Sequence, residues 1–177
     1  MKNHKMIFLT GGARSGKSRF ATELAARLGK TVIFVATCVP QDKEMKRRVA
    51  LHRQSRPKNW KTIEEPLELS STLKAISPKK TTVVIIDCLT LLLSNLMIAG
   101  TTERKILREM EKIVKEIKRY EFSTIIVSNE VGSGIVPENK LARDFRDIAG
   151  KINQFMARQS DEAYAMISGF PIKLKGS

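Results

Sequence analysis

Acidic residues are scarce in this chain, 18 Asp and Glu against 32 Lys and Arg, and the net charge is +14. Cysteine, histidine and aromatic side chains are scarce too: two Cys, two His and 6% Phe, Trp and Tyr. Each shortage excludes something. Cys38 and Cys88 each follow a strand-like run, which fits reduced thiols in a buried sheet and not a disulfide framework or a cysteine-rich metal site. The few aromatics are not interleaved with the basic residues, as a stacking platform for single-stranded nucleic acid requires. The positive charge is spread over Lys43–Lys58, over a helical stretch from Arg104 to Arg119, and over Lys173 and Lys175. Solvated helix faces account for that spread, so nucleic acid is not the expected partner. No apolar run reaches the length of a membrane-spanning helix, and Met1–Lys5 lead directly into a strand with no secretory leader pattern. The expected location is cytoplasmic. Repeats and low-complexity tracts are absent as well, and 177 residues suit one domain of ordinary size, residues 1–177, able to bury its own core.

What the chain does contain is a complete phosphate-binding loop. Gly11, Gly12, Ala13, Arg14, Ser15, Gly16, Lys17 and Ser18 fit G-x-x-x-x-G-K-[ST] and follow the apolar run Met6–Thr10. Backbone N–H groups of such a loop converge on phosphate oxygens, and the helix that follows presents its positive end to the same charge. Lys17 is expected to reach the β- and γ-phosphates and Ser18 to ligate Mg²⁺. The helix is marked by Phe20, Leu24 and Leu28 at i, i+4, i+8, with Ala21 and Ala25 beside them, and it can stop at Gly29.

Strand-like runs recur at Thr31–Thr37, Thr82–Cys88, Thr124–Asn129 and Ala163–Ser168, most of them apolar on both faces, as strands of a covered parallel sheet are. Helical stripes fill the gaps: Ile106, Met110, Ile113, Ile117, and then Leu141, Phe145, Ile148, Ile152, Phe155, the latter entered through Pro137 near its first turn. The alternation predicts an α/β fold, a doubly wound, mostly parallel P-loop NTPase sheet with nucleotide at the carboxyl ends of the strands.

Asp87 closes the run Val83-Val-Ile-Ile-Asp87, where a Mg²⁺-binding or water-orienting acid belongs; a helix cap is the competing role. Ser128-Asn129-Glu130 ends the next strand and opens a glycine-bearing loop to Pro137, able to approach a ligand closely or simply to connect two elements. The Asn-Lys-x-Asp guanine reader of switch GTPases is missing, which argues against a regulatory GTPase cycle but not against GTP as substrate. Asp42–Ser55 is expected to be helical, with Met45, Val49 and His52 on one face. His52 is then either a packed histidine or a nucleophile for phosphorus, with Arg53 and Arg56 steadying the displaced phosphates.

Taken together, Thr10–Ser18, Ala36-Thr37, Asp42-x-Glu-Met45, His52-Arg-x-x-Arg-Pro57, Trp60, Thr62-Ile-Glu64, Asp87-Cys-Leu-Thr90, Ser128–Asn139, Leu141–Gly150 and Asn153-Gln154 closely resemble one family. It is the bifunctional adenosylcobinamide kinase/adenosylcobinamide-phosphate guanylyltransferase family of cobalamin biosynthesis. The resemblance covers residues 6 to about 170 and implies a RecA-like P-loop domain assembled as a trimer. Two reactions are implied. A nucleoside triphosphate, ATP or GTP, phosphorylates the aminopropanol hydroxyl of adenosylcobinamide. His52 then attacks the α-phosphorus of GTP, and the GMP-histidine passes GMP to adenosylcobinamide phosphate, giving adenosylcobinamide-GDP. By the same resemblance Lys17 and His52 are catalytic, Ser18 and Asp87 hold Mg²⁺, and nucleotide is contacted by Gly11–Ser18, Ala36, Thr37, Cys38, Arg53, Gln54, Ser55, Arg56, Glu64 and Asp87. A guanylyltransferase without the kinase step, or a small-molecule kinase that ignores His52, are the alternatives.

Overall fold

The computed structural model describes residues 4–40, 42–54, 56–76, 82–120 and 122–176, apart from the side chains of Met45, Arg48, His52 and Gln54. Ser55, which the sequence reading assigns to nucleotide contact, lies outside the described residues. In chain order the elements are β1 (Met6–Gly11), α1 (Lys17–Leu28), β2 (Thr31–Ala36), α2 (Lys43–Gln54), β3 (Lys61–Glu64), α3 (Leu69–Ala75) and β4 (Thr82–Asp87). They continue with α4 (Leu89–Ile98), α5 (Glu103–Arg119), β5 (Ser123–Val127), α6 (Lys140–Gln159), β6 (Glu162–Ile167) and β7 (Phe170–Lys175).

The strands form one seven-stranded sheet in the order β3-β2-β4-β5-β1-β6-β7. Every pairing is parallel except β6 with β7. The reason lies in the side chains: Val83, Val84, Ile85 and Ile86 are all fully buried, so β4 needs helices on both of its faces. On one face Ile7, Leu9, Val32, Phe34, Val83, Ile85, Ile125 and Val127 pack with Ala21 and Ala25 of α1. On the other, Phe8, Val35, Val84, Ile86 and Ile126 pack with apolar residues of α3, α4, α5 and α6. The common direction of these parallel strands brings the carboxyl ends of β1, β2, β4 and β5 to one edge of the sheet, with β5 between β4 and β1. No helix among the described residues is long and apolar enough to cross a membrane.

Several expected details are displaced. In α1 the deeply buried face is Ala21 and Ala25, while Phe20 and Leu24 are half-buried and Leu28 is exposed. Small side chains let the helix axis sit close to β4 and β5, and the larger ones wrap its flank. In α6 the buried stripe is Ile148, Ala149, Ile152, Asn153 and Met156, and Leu141 is exposed. Pro137 lies on the entry just before that helix, as expected; Asn139 is the N-cap, its Oδ1 accepting from the Ala142 N–H at 2.8 Å. The second edge is a hairpin that the strand reading missed: β7 runs antiparallel beside β6 through a turn with Ser168 and Gly169 both at positive φ.

The close seat of α1 predicts that Ala25→Leu overpacks the interface and lowers unfolding free energy by about 1–3 kcal/mol in a urea titration. A variant as stable as the parent would contradict that seat.

Candidate active site

Geometry around the phosphate loop follows from its glycines. A Cβ on Gly11 would stand 2.5 Å from the Met166 carbonyl oxygen, and one on Gly16, at φ +95°, would press on Gly169 at 3.2 Å. Side chains are therefore excluded where the loop passes over β6 and its turn. Two of the loop's carbonyls are held from outside: Gly11 O accepts from the Glu130 N–H at 2.9 Å and Ser15 O from the Gly169 N–H at 3.0 Å. Lys17, almost fully buried, lays its ammonium across the loop and donates to Gly11 O at 2.8 Å and Gly12 O at 2.6 Å. Burial lowers the Lys17 pKa, opposed by Cys88 and by the Asp87 carboxylate. Gly12, Ala13 and Arg14 form the exposed crest, Arg14 at φ 56°.

At the end of β4, Asp87 Oδ2 accepts from Ser18 Oγ at 3.1 Å, bridging β4 to the first turn of α1. A hydroxyl and a carboxylate are hard oxygen donors of the kind Mg²⁺ takes, so this pair fits that ion chemically. Among the described residues no cluster of three or more His, Cys, Asp or Glu gathers as a metal cage. Cys88 follows across a cis peptide bond.

Thr37, just beyond β2, is fully buried. Its N–H donates to Asp87 O at 3.1 Å, its hydroxyl donates to Cys88 O at 2.7 Å, and the same oxygen accepts from the Cys88 N–H at 2.9 Å. Asn95 of α4 donates its side-chain amide to Thr37 O at 2.8 Å and to Pro66 O at 3.0 Å. Nothing in the sequence reading assigns a role to Asn95. Its only signal is an amide within the leucine-rich stretch Leu89–Ile98.

Beyond α2 the chain brings a second set of charges to the same edge. The Arg56 guanidinium lies 3.5 Å over the Phe34 ring, a favourable cation–π contact in a half-buried setting. Burial lowers its pKa, opposed by Asp87 and Glu64 and reinforced by Arg53, so these three charged groups each lie within electrostatic reach of Arg56. Arg53 and Glu64 form an exposed ion pair at 3.8 Å, a contact of small energetic weight in water. Glu64 closes β3 beside Ala36 of β2. His52 belongs to the last turn of α2 and Gln54 ends that helix; the side chains of both lie outside the described residues. The structure thus gathers Lys17, Ser18, Thr37, Asp87, Arg53, Arg56 and Glu64 around the ends of β1, β2, β3 and β4.

On β5's end, Ser128 Oγ donates to Asn153 Oδ1 at 2.6 Å and Asn153 Nδ2 to Asn129 O at 3.1 Å, so α6 fixes the turn into the loop after β5. That loop is open to solvent, with Ile135 96% exposed.

Both cysteines are free thiols, as expected. Burial beside Asp87 pushes the Cys88 pKa up to about 11, and Cys38, half-buried, is raised for the same two reasons. A raised thiol pKa means less thiolate at neutral pH. Maleimide at pH 8 is therefore predicted to modify Cys38 well before Cys88, which should react only as the protein unfolds. Equal rates in the native protein would contradict the burial of Cys88.

Known proteins share both the sequence and the fold. The KaiC-like protein of Pyrococcus horikoshii superimposes with a TM-score of 0.51 at 16% identity, over 91% of this chain and 70% of that one, a likeness of fold alone. That neighbour and the mostly parallel sheet make this an α/β P-loop NTPase fold of the RecA-like kind. The chain is 40% identical over 168 residues to the bifunctional adenosylcobalamin biosynthesis protein CobP of Pseudomonas aeruginosa, spanning 95% of this chain and 96% of that protein. It is 38% identical over 183 residues to the bifunctional adenosylcobalamin biosynthesis protein CobU of Escherichia coli K12, spanning 96% of this chain and 99% of that protein. With residues 7–174 also matching the family profile, the chain belongs to the cobinamide kinase / cobinamide phosphate guanyltransferase family.

Proposed function

We propose that this enzyme phosphorylates the hydroxyl of adenosylcobinamide's aminopropanol arm and then transfers GMP from GTP, through His52, to adenosylcobinamide phosphate. Family membership carries the pair of reactions, and the meeting of a phosphate loop with an Arg-Arg-Glu set at one sheet edge supports it. One continuous sheet with an apolar cluster on each face supports reading residues 1–177 as one catalytic domain.

In this reading the N–H groups of Gly12–Ser18 surround the β- and γ-phosphates, and Lys17 exchanges its bonds to Gly11 O and Gly12 O for phosphate oxygens. Ser18 and Asp87 would hold Mg²⁺, which when bound offsets charge on the phosphates. For phosphoryl transfer the acceptor hydroxyl oxygen attacks the γ-phosphorus in line while its proton leaves to solvent, the bond to the bridging oxygen breaks, and the diphosphate stays on the loop. For GMP transfer a neutral imidazole nitrogen of His52 attacks the α-phosphorus, and the bond to the α–β bridging oxygen breaks. Pyrophosphate leaves against Lys17, Arg53 and Arg56, whose donors meet its added charge. An oxygen of the corrinoid phosphate then attacks the same phosphorus, the P–N bond breaks, and His52 is restored. In this reading Glu64, paired with Arg53, accepts from purine N–H groups or ribose hydroxyls, and Ala36, which pairs with Glu64 in the sheet, begins the stretch Ala36–Cys38 that contacts nucleotide. Three cations, Lys17, Arg53 and Arg56, against two acids, Asp87 and Glu64, suit a polyanionic substrate.

Incubation with Mg²⁺ and GTP labelled at the α-phosphate should leave protein-bound label that survives alkali and is released by acid. His52→Ala should carry none while unfolding at the parent's temperature; full labelling of that variant would overturn the nucleophile assignment. Lys17→Ala should lower kcat of either step by about 10²–10³-fold, the cost of removing one donor to developing charge. Unchanged turnover would remove Lys17 from the mechanism.

A further inference from the structure

The chain of hydrogen bonds that begins at Asn95 ends at Ser18. Asn95 Nδ2 donates to Thr37 O, Thr37 N–H donates to Asp87 O, the Thr37 hydroxyl closes on both sides of Cys88, and Asp87 Oδ2 accepts from Ser18 Oγ. Each link crosses between elements far apart in sequence, from α4 to the end of β2, to the end of β4, to α1. We propose that Thr37 and Asn95 are positioning residues for the Asp87 carboxylate, setting it against Ser18 so that the pair takes Mg²⁺ together with the nucleotide. The inference rests on the reading of Ser18 and Asp87 given above and adds two residues to it.

Three observations carry the assignment. The Thr37 hydroxyl is fully buried and uses both its donor and an acceptor lone pair on the Cys88 peptide, so its geometry is committed within the protein. Parallel pairing of Ala36 with Asp87 ends here, and the peptide after Asp87 would otherwise have no partner on β2. Asn95 spends both amide protons on carbonyls, Thr37 O and Pro66 O, and so ties the turn after β2 to the turn after β3. The backbone of a strand-end residue sets the direction of its Cα–Cβ bond, so a tilt of the adjoining peptide swings the whole carboxylate. Thr37 holds both the C=O and the N–H of the peptide that follows the Asp87 Cα, which restricts that tilt. Groups that orient a ligand in this way ordinarily change metal affinity by 10–100-fold when removed.

The test separates metal coupling from general damage. The Kd of a fluorescent, non-hydrolysable GTP analogue is measured by titration with EDTA and again across a Mg²⁺ series, for the parent, Thr37→Val, Thr37→Ser and Asn95→Leu. Thr37→Val keeps shape and loses the hydroxyl; Thr37→Ser keeps the hydroxyl. The expected result is a half-saturating Mg²⁺ concentration raised about tenfold or more in Thr37→Val and Asn95→Leu. The metal-free Kd of Asn95→Leu, a residue given no nucleotide contact, should stay within about twofold of the parent, and Thr37→Ser should restore the parental Mg²⁺ response. Equal weakening with and without Mg²⁺, or no change in the Mg²⁺ response, would overturn the positioning role. A parent that binds the analogue with no Mg²⁺ effect would overturn the metal reading itself, a distinct outcome visible before any variant is made.

Discussion

The hydrogen bond from Ser18 Oγ to Asp87 Oδ2 depends on two strands that never touch: β1 launches the loop and helix that carry Ser18, β4 delivers Asp87, and β5 separates them. It can form only because all three run in the same direction, so that their carboxyl ends lie at one edge. Parallel direction in turn requires helical crossovers, and the crossovers require both faces of the sheet to be apolar. The full burial of Val83–Ile86 is thus the condition for the site, and the rest of the fold supplies cover for it.

On that frame, charge is arranged against the ordinary preference for solvent. Lys17 is nearly buried, Arg56 is half-buried over Phe34, and burial lowers the pKa of both. Holding two cations in partly dry surroundings is costly unless anions approach, and Asp87 and Glu64 are few against Lys17, Arg53 and Arg56. A triphosphate meets that imbalance. The net charge of +14 then has two parts of different meaning: solvated lysines and arginines on helix faces, and this small group converging at the strand ends.

Much of this was legible in the residues. Met6–Thr10 and the β-branched runs from Thr31, Thr82 and Thr124 mark the central strands because burial on both faces leaves little freedom of composition. The edges were harder to read. β3 is four residues long, Lys61-Thr-Ile-Glu64, and β7 alternates Phe170, Ile172 and Leu174 with Pro and Lys, so neither shows the continuous apolar signal of its neighbours. The helical stripes were read correctly in position but not always in depth: Leu28 and Leu141 extend their periodicity past the sheet and meet solvent. Thr37 and Asn95 were hardest, because their partners lie 51 and 58 residues away and no local spacing announces such a bond.

The central claim is that one nucleotide site serves a lysine that binds phosphate and a histidine that accepts GMP, and both could in principle form an acid-labile bond to phosphorus. Peptide mapping of the GTP-treated enzyme distinguishes them most directly, because trypsin separates Val49–Arg53, which holds His52, from Ser15–Lys17. Digestion at alkaline pH followed by tandem mass spectrometry is predicted to place GMP on Val49–Arg53 with fragment ions confining it to His52. An adduct on Lys17, or on any peptide without His52, would contradict the account.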